Sequence, residues 1–158
     1  MTIHYLHQMA AHPQLRRWTN QGLPLLEIEA LEAHYNDGRP FPQAYREFLF
    51  LGGRHCNLED VDTGLGLHWL HTTAWQRLAE DDQRLDRPFW VVYQLEGCQQ
   101  FGFFYLDDEQ PDPAAYHCMP AYVALGDPLV QPLPQQTFSR FIDECVARSR
   151  RTDQHLRQ

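Results

Sequence analysis

Apolar residues recur along this chain at two periods, and the change from one to the other divides it. From Thr2 to Trp18, the residues Ile3, Leu6, Met9 and Ala10 fall at helical spacing, until Pro13 interrupts them. Gly22 and Pro24 mark a turn. Leu25, Ile28, Leu31 and Tyr35 then recur at intervals of three and four, with Glu27, Glu29 and Glu32 on the other faces, which predicts an amphipathic helix. Asn36-Asp37-Gly38 ends it, because asparagine and glycine tolerate the left-handed conformation of a helix stop. A second helix follows, with Pro42 in its first turn, Phe41, Tyr45, Phe48 and Leu49 as its buried stripe, and Gly52-Gly53 as its stop.

The middle of the chain turns to a period of two. Leu65 to His71 reads as a strand, after which Thr72 or Thr73 caps a helix carrying Trp75, Leu78 and Leu85. Phe89 to Leu95 is the strongest strand, rich in aromatic and β-branched residues. Glu96-Gly97-Cys98 turns the chain, and Phe101 to Leu106 returns, which makes an antiparallel hairpin. Two further strands are expected at Ala115–Met119 and Tyr122–Leu125, followed by a loop with Gly126 and Pro128. Thr137 then caps a final helix with Phe138, Phe141, Ile142, Cys145 and Val146 on one face. Arg148, Arg150 and Arg151 suit the negative end of its dipole. Adjacent strands without alternating crossover helices argue for an α+β fold, with a mostly antiparallel sheet, one inserted helix and a C-terminal helix packed on the sheet. The expected organisation is an N-terminal helical extension over 1–24, one domain over 25–151 and a frayed tail over 152–158.

Composition narrows the chemistry. At 158 residues and 43% hydrophobic, the chain suffices for one domain with its own core, so neither metal nor disulfide is needed to hold it. All 13 basic residues are arginine, which removes a Schiff-base or phosphate-loop lysine from the possible mechanisms. A formal net charge of -8 repels phosphate backbones, so no direct nucleic-acid partner is expected, whereas a basic protein would be attracted. The opening residues lack a secretion leader, and no apolar stretch is long enough to cross a bilayer. These points lead us to expect a cytoplasmic protein without a membrane partner, and free thiols at Cys56, Cys98, Cys118 and Cys145.

Few local patterns suggest catalysis. His55-Cys56 and His117-Cys118 invite a zinc site, but adjacent residues of a strand point to opposite faces, and no metal or cofactor is expected. Gly64-Leu65-Gly66 lacks the third glycine of a nucleotide-binding turn. A small enzyme using Cys118 or Cys56 with a histidine needs a thiolate in reach of a base, and no local signature surrounds either cysteine. Three acidic groups are the candidate partner-binding residues: Glu59, Asp60 and Asp62; Glu80, Asp81 and Asp82; and Asp107, Asp108 and Glu109. Each is either a solvated surface or part of a face that meets arginines and lysines of a partner. Trp69, Trp75 and Trp90 are expected in the core, and any of them exposed beside an acidic loop would serve as a binding anchor.

Ile28, Leu31-Glu32, Phe41-Pro42, Tyr45, Phe48-Leu49 and Gly52-Gly53 together resemble the opening motif of the SUKH superfamily, known from fungal Smi/Knr-type regulators and bacterial toxin-immunity proteins. Phe41 stands where the family usually has leucine. A coarser likeness runs over most of Leu25 to Arg148, including the C-terminal helix that opens Thr137-Phe138-Ser139-Arg140-Phe141. The resemblance implies an α+β fold, no shared catalytic residues, and a binding role. The expected function is that of an immunity protein that neutralises a cognate toxin, a basic nuclease among the candidates. The alternatives are a regulatory or scaffold module on the same fold and the small cysteine enzyme.

Overall fold

The computed structural model describes residues 1–58, 61–63 and 66–155. The chain order is α1 (His7–Ala11), β1 (Gln14–Leu15), β2 (Trp18–Thr19), α2 (Leu25–Tyr35), α3 (Gln43–Gly52), β3 (Asn57–Leu58), β4 (Val61–Asp62), α4 (Leu67–Glu80), β5 (Phe89–Leu95), β6 (Gln100–Tyr105), β7 (Ala114–Cys118), β8 (Val130–Thr137) and α5 (Phe138–His155). The fold is α+β. Strands β5-β6-β7-β8 form one antiparallel sheet in sequence order, and β1-β2 and β3-β4 are short hairpins.

Alternation along the strands divides the apolar residues between the two faces of the sheet. Trp90, Val92, Phe104 and Ala115 face α2, α3 and α5, where they pack with Ile28, Tyr45, Phe48, Phe138 and Ile142. Phe89, Val91, Phe101, Phe103 and Cys118 face the other way, against Leu70, Ala74 and Leu78 of α4. Gly102 lies opposite Tyr93 and leaves room for its ring; a Cβ there would come within 1.8 Å of that ring. The N-terminal 24 residues are built into the larger core through Leu6, Met9, Leu15 and Leu23. Only His7–Ala11 of them is helical. Glu47, buried on α3, holds this segment by accepting the backbone N–H groups of His4, Tyr5 and Leu6 at 2.8, 2.9 and 3.0 Å.

Several expectations are corrected. The segment expected as a strand from Leu65 to His71 is helical from Leu67 onward, and Leu65 lies outside the described residues. Leu67, Leu70, Ala74 and Leu78 are buried together at helical spacing, which outweighs the short alternation. Thr72 and Thr73 therefore lie within the helix and cap nothing. Tyr122–Leu125 belongs to a 3-10 helix, Pro120–Leu125, which begins with proline and stops at left-handed Gly126. The fourth strand is instead β8, whose Pro132 and Pro134 are tolerated because it lies at the sheet edge. The start of α5 is served by Asp112 from the β6–β7 loop, which accepts the Ser139 backbone N–H at 2.9 Å and its hydroxyl at 2.6 Å, while Thr137 ends β8. That helix continues past Thr152 to His155, and Asp153 accepts the Arg16 backbone N–H.

Candidate functional site

The buried stripe of α4 leaves its opposite side to solvent. That side carries His68, Trp69, Thr72, Trp75, Gln76 and Glu80, all exposed. Trp90 is fully buried as expected, but Trp69 and Trp75 are 41% and 47% exposed, against the expectation that all three lie in the core. Helical periodicity causes the difference, since neither residue falls in the stripe of Leu67, Leu70, Ala74 and Leu78.

The Trp75 ring is held in place. Its indole N–H donates to His71 Nε2 at 3.1 Å, and its ring lies 4.9 Å from that of Phe89. His71 stacks on Trp90 at 4.9 Å. Burial, reinforced by the nearby charge of His68, pushes the His71 pKa down to about 4. His71 is therefore neutral near pH 7, and its proton sits on Nδ1, so that Nε2 can accept. Tyr35 closes the group. Its hydroxyl is hydrogen-bonded to His68 Nδ1, and its ring meets Trp90 edge-on at 4.8 Å. Burial raises the Tyr35 pKa, so it stays a neutral phenol.

Alongside Tyr35 runs a groove of about 540 Å³ between α2 and the start of α4. Leu31, Ala30 and Leu67 make its walls apolar, while His34, His68 and the Arg54–Glu27 ion pair, at 2.7 Å, give it polar edges. Two exposed indoles, the exposed imidazoles of His34 and His68 and an apolar groove thus present aromatic faces and polar edges to solvent.

The three acidic groups differ in how far the chain's own arginines answer them. Glu59 and Asp60 lie outside the described residues, and Asp62 is placed by its backbone on β4, opposite Asn57. Glu80 and Asp81 are paired to Arg77 at 3.5 and 2.7 Å. Asp107 and Asp108 share Arg87, whose guanidinium also lies 3.9 Å over the Tyr105 ring. That hydrogen bonding holds the Asp107 carboxyl below its ordinary range. Asp82 and Glu109 are exposed and form no ion pair among the described residues. Four of the candidate carboxylates are thus answered by the chain's own arginines, which lowers their capacity to attract a distant cation.

All four cysteines are buried. Burial pushes the Cys98 thiol up to about 11 and Cys118 up to about 12, so both stay protonated at neutral pH. His117 projects to the other face of the sheet, near Tyr93, away from Cys118. Among the described residues, no group of three or more histidine, cysteine or carboxylate side chains could hold a metal ion. No described helix is long and apolar enough to cross a membrane. Comparison of the chain with protein-family models, with curated proteins and with solved structures finds no match in any of the three.

Proposed function

We propose that this chain is a protein-binding domain that engages a cationic partner, of the toxin-neutralising kind that its helix-pair motif resembles. The observation that carries the reading is the exposure of Trp69 and Trp75 on α4, the helix whose first turn also lines the groove with Leu67 and His68. Tryptophan supplies large contact area at little entropic cost and dominates many binding interfaces. The net charge of -8, with Asp82 and Glu109 free of ion pairs among the described residues, favours a basic partner and speeds its approach. In this reading the indoles supply the affinity, and the acidic surface supplies steering.

The test is co-expression. A basic protein recovered with the tagged chain should arrest growth when made alone, and the wild-type chain should relieve the arrest. Replacing Trp69 and Trp75 together by alanine should weaken that complex by about thirtyfold or more, since a hot-spot truncation costs about 2 kcal/mol or more. Raising salt from about 0.1 M to about 1 M should slow association of the wild-type pair. A partner that is harmless alone would replace the toxin reading with a regulatory one. A complex indifferent to both indoles would remove α4 from the interface.

A further inference from the structure

Two imidazoles of α4 are hydrogen-bonded to neighbouring side chains, and a proton affects the two bonds differently. His68 Nδ1 is bonded to the Tyr35 hydroxyl. A hydroxyl both donates and accepts, so that bond can be kept whether the ring nitrogen is bare or protonated. His71 Nε2 accepts the Trp75 indole N–H at 3.1 Å. An indole donates only, so this bond exists only while Nε2 carries no proton. A proton there sets two N–H groups against each other at hydrogen-bonding distance. The surroundings of His71 do not offset that change. Its ring is stacked on Trp90 at 4.9 Å and lies 5.7 Å from the rings of Tyr35 and Phe89. From α2 it faces Tyr35, which stays a neutral phenol, and from its own helix it faces His68, whose charge opposes a second one. From β5 it faces Phe89 and Trp90, which carry no charge. The face of Trp90 attracts a cation, but burial outweighs that attraction and holds the pKa at about 4.

We propose that His71 is an acid-sensitive latch: when Nε2 takes up a proton, the Trp75 indole is released from its place against Phe89, and the aromatic face of α4 loses its fixed shape. Among the described residues the Trp75 indole makes one hydrogen bond, the one to His71, and its ring is otherwise held by the 4.9 Å contact with Phe89. The ring is 47% exposed, so it can swing into solvent while Leu70, Ala74 and Leu78 stay buried against the sheet. Trp75 also lies edge-on to His71, 6.3 Å away, and is part of what buries it. Its departure lets water reach the charged imidazole, so proton uptake and release of the ring favour each other. A pKa of about 4 with the ring in place, against an ordinary 6.5, bounds the effect. Acidification across that interval shifts the balance toward the released ring by at most about 300-fold. The latch is a property of the chain alone; its consequence for binding rests on the reading that Trp75 meets a partner. On that reading the binding face is complete near pH 7 and dismantled in acid.

The test needs no partner. Indole N–H signals are followed by NMR in the full, isotopically labelled chain, which has four tryptophans, and Trp75→Phe assigns the signal of interest. Trp69, exposed on the same helix, is the reference for an unprotected ring. Near pH 7 the Trp75 indole proton should exchange with solvent about tenfold more slowly than that of Trp69. The difference should vanish as pH falls toward 4, while the backbone signals remain those of the folded chain. His71→Gln offers a carbonyl that accepts the indole N–H and takes up no proton in this range, so it should keep the ring protected throughout. His71→Phe keeps a ring for stacking and removes the acceptor, so Trp75 should exchange at the Trp69 rate already at pH 7. Protection that persists to pH 4 in the folded wild-type chain, an equal loss of protection in His71→Gln, or full protection of Trp75 in His71→Phe at pH 7 each overturns the latch. The last comparison needs no acid and decides the case if the wild-type chain unfolds before pH 4. A working latch in a chain whose partner ignores Trp75→Ala overturns the functional reading alone. A partner that needs Trp75, with an indole signal that does not titrate, overturns the latch alone.

Discussion

Glu47 is a carboxylate placed where side chains of its type are rare: it is fully buried, yet it organises the first residues of the chain. Burial acts to raise its pKa, but hydrogen bonds from His4, Gln43, Leu6 and Tyr5 outweigh that, and the pKa is lowered. Glu47→Ala leaves three backbone N–H groups without their acceptor and should cost about 3 kcal/mol or more in a urea titration. A lowered carboxyl pKa contributes stability that is present above the ordinary glutamate value of 4.5 and is lost as pH falls through the folded value. His71 acts in a different window. Its pKa lies at about 4 against an ordinary 6.5, so the unfolded chain binds its proton first. Stability from this residue is complete above pH 6.5 and declines as pH falls toward 4. His71→Phe should flatten the fall in urea midpoint across that window and leave the decline below it in place.

At the scale of elements, close packing decides what local preference leaves open. The Tyr93 ring lies over Gly102 and stacks on Phe141 of α5 at 4.9 Å, so this glycine joins the sheet to the helix layer. Gly102→Ala should destabilise the protein by about 1–3 kcal/mol in thermal melts, because the new methyl group meets the ring. Tyr93→Leu in the same chain should recover part of the loss, visible as a coupling of about 1 kcal/mol in a double-mutant cycle. Helix α4 shows the limit of reading short patterns. The stretch from Leu65 to His71 alternates like a strand, but a fourteen-residue helix with four buried positions is the better solution once the sheet offers a face to cover. Strand β8 shows the reverse. Two prolines argue against a strand, and only its place at the edge permits them.

For the whole molecule, the N-terminal segment belongs to the same core as the rest. Leu6, Met9, Leu15 and Leu23 are buried in one cluster with α2, α3 and α5, each contributing about 1.5–3 kcal/mol. Total stability of a domain is about 5–15 kcal/mol, so deletion of residues 1–24 should abolish cooperative unfolding and near-ultraviolet dichroism. Retention of a sharp melt by the truncated chain would show that the segment is dispensable. The charge of the molecule is likewise a property of the assembled surface. Arg77 and Arg87 neutralise acidic groups that look continuous in the chain, leaving a shorter set of carboxylates, Asp82 and Glu109 among them, to act at a distance.

From the sequence alone one could read the α+β class, helices α2, α3 and α5, and the run of three strands from Phe89 to Cys118. Helices α3 and α5 carry strong local periodicity, the strands are dense in aromatic and β-branched residues and are buried on both faces, and α2 is bounded by clear turn signals although it buries only Ile28 and Glu32. The sequence also identified Trp69 and Trp75 as residues that would matter if exposed, without showing that they are. Tertiary structure alone decided which side of α4 meets the sheet, which carboxylates find an arginine, and that His71 stacks on Trp90 while it holds Trp75. Those outcomes depend on segments distant in the chain coming together, and no pattern confined to neighbouring residues records them.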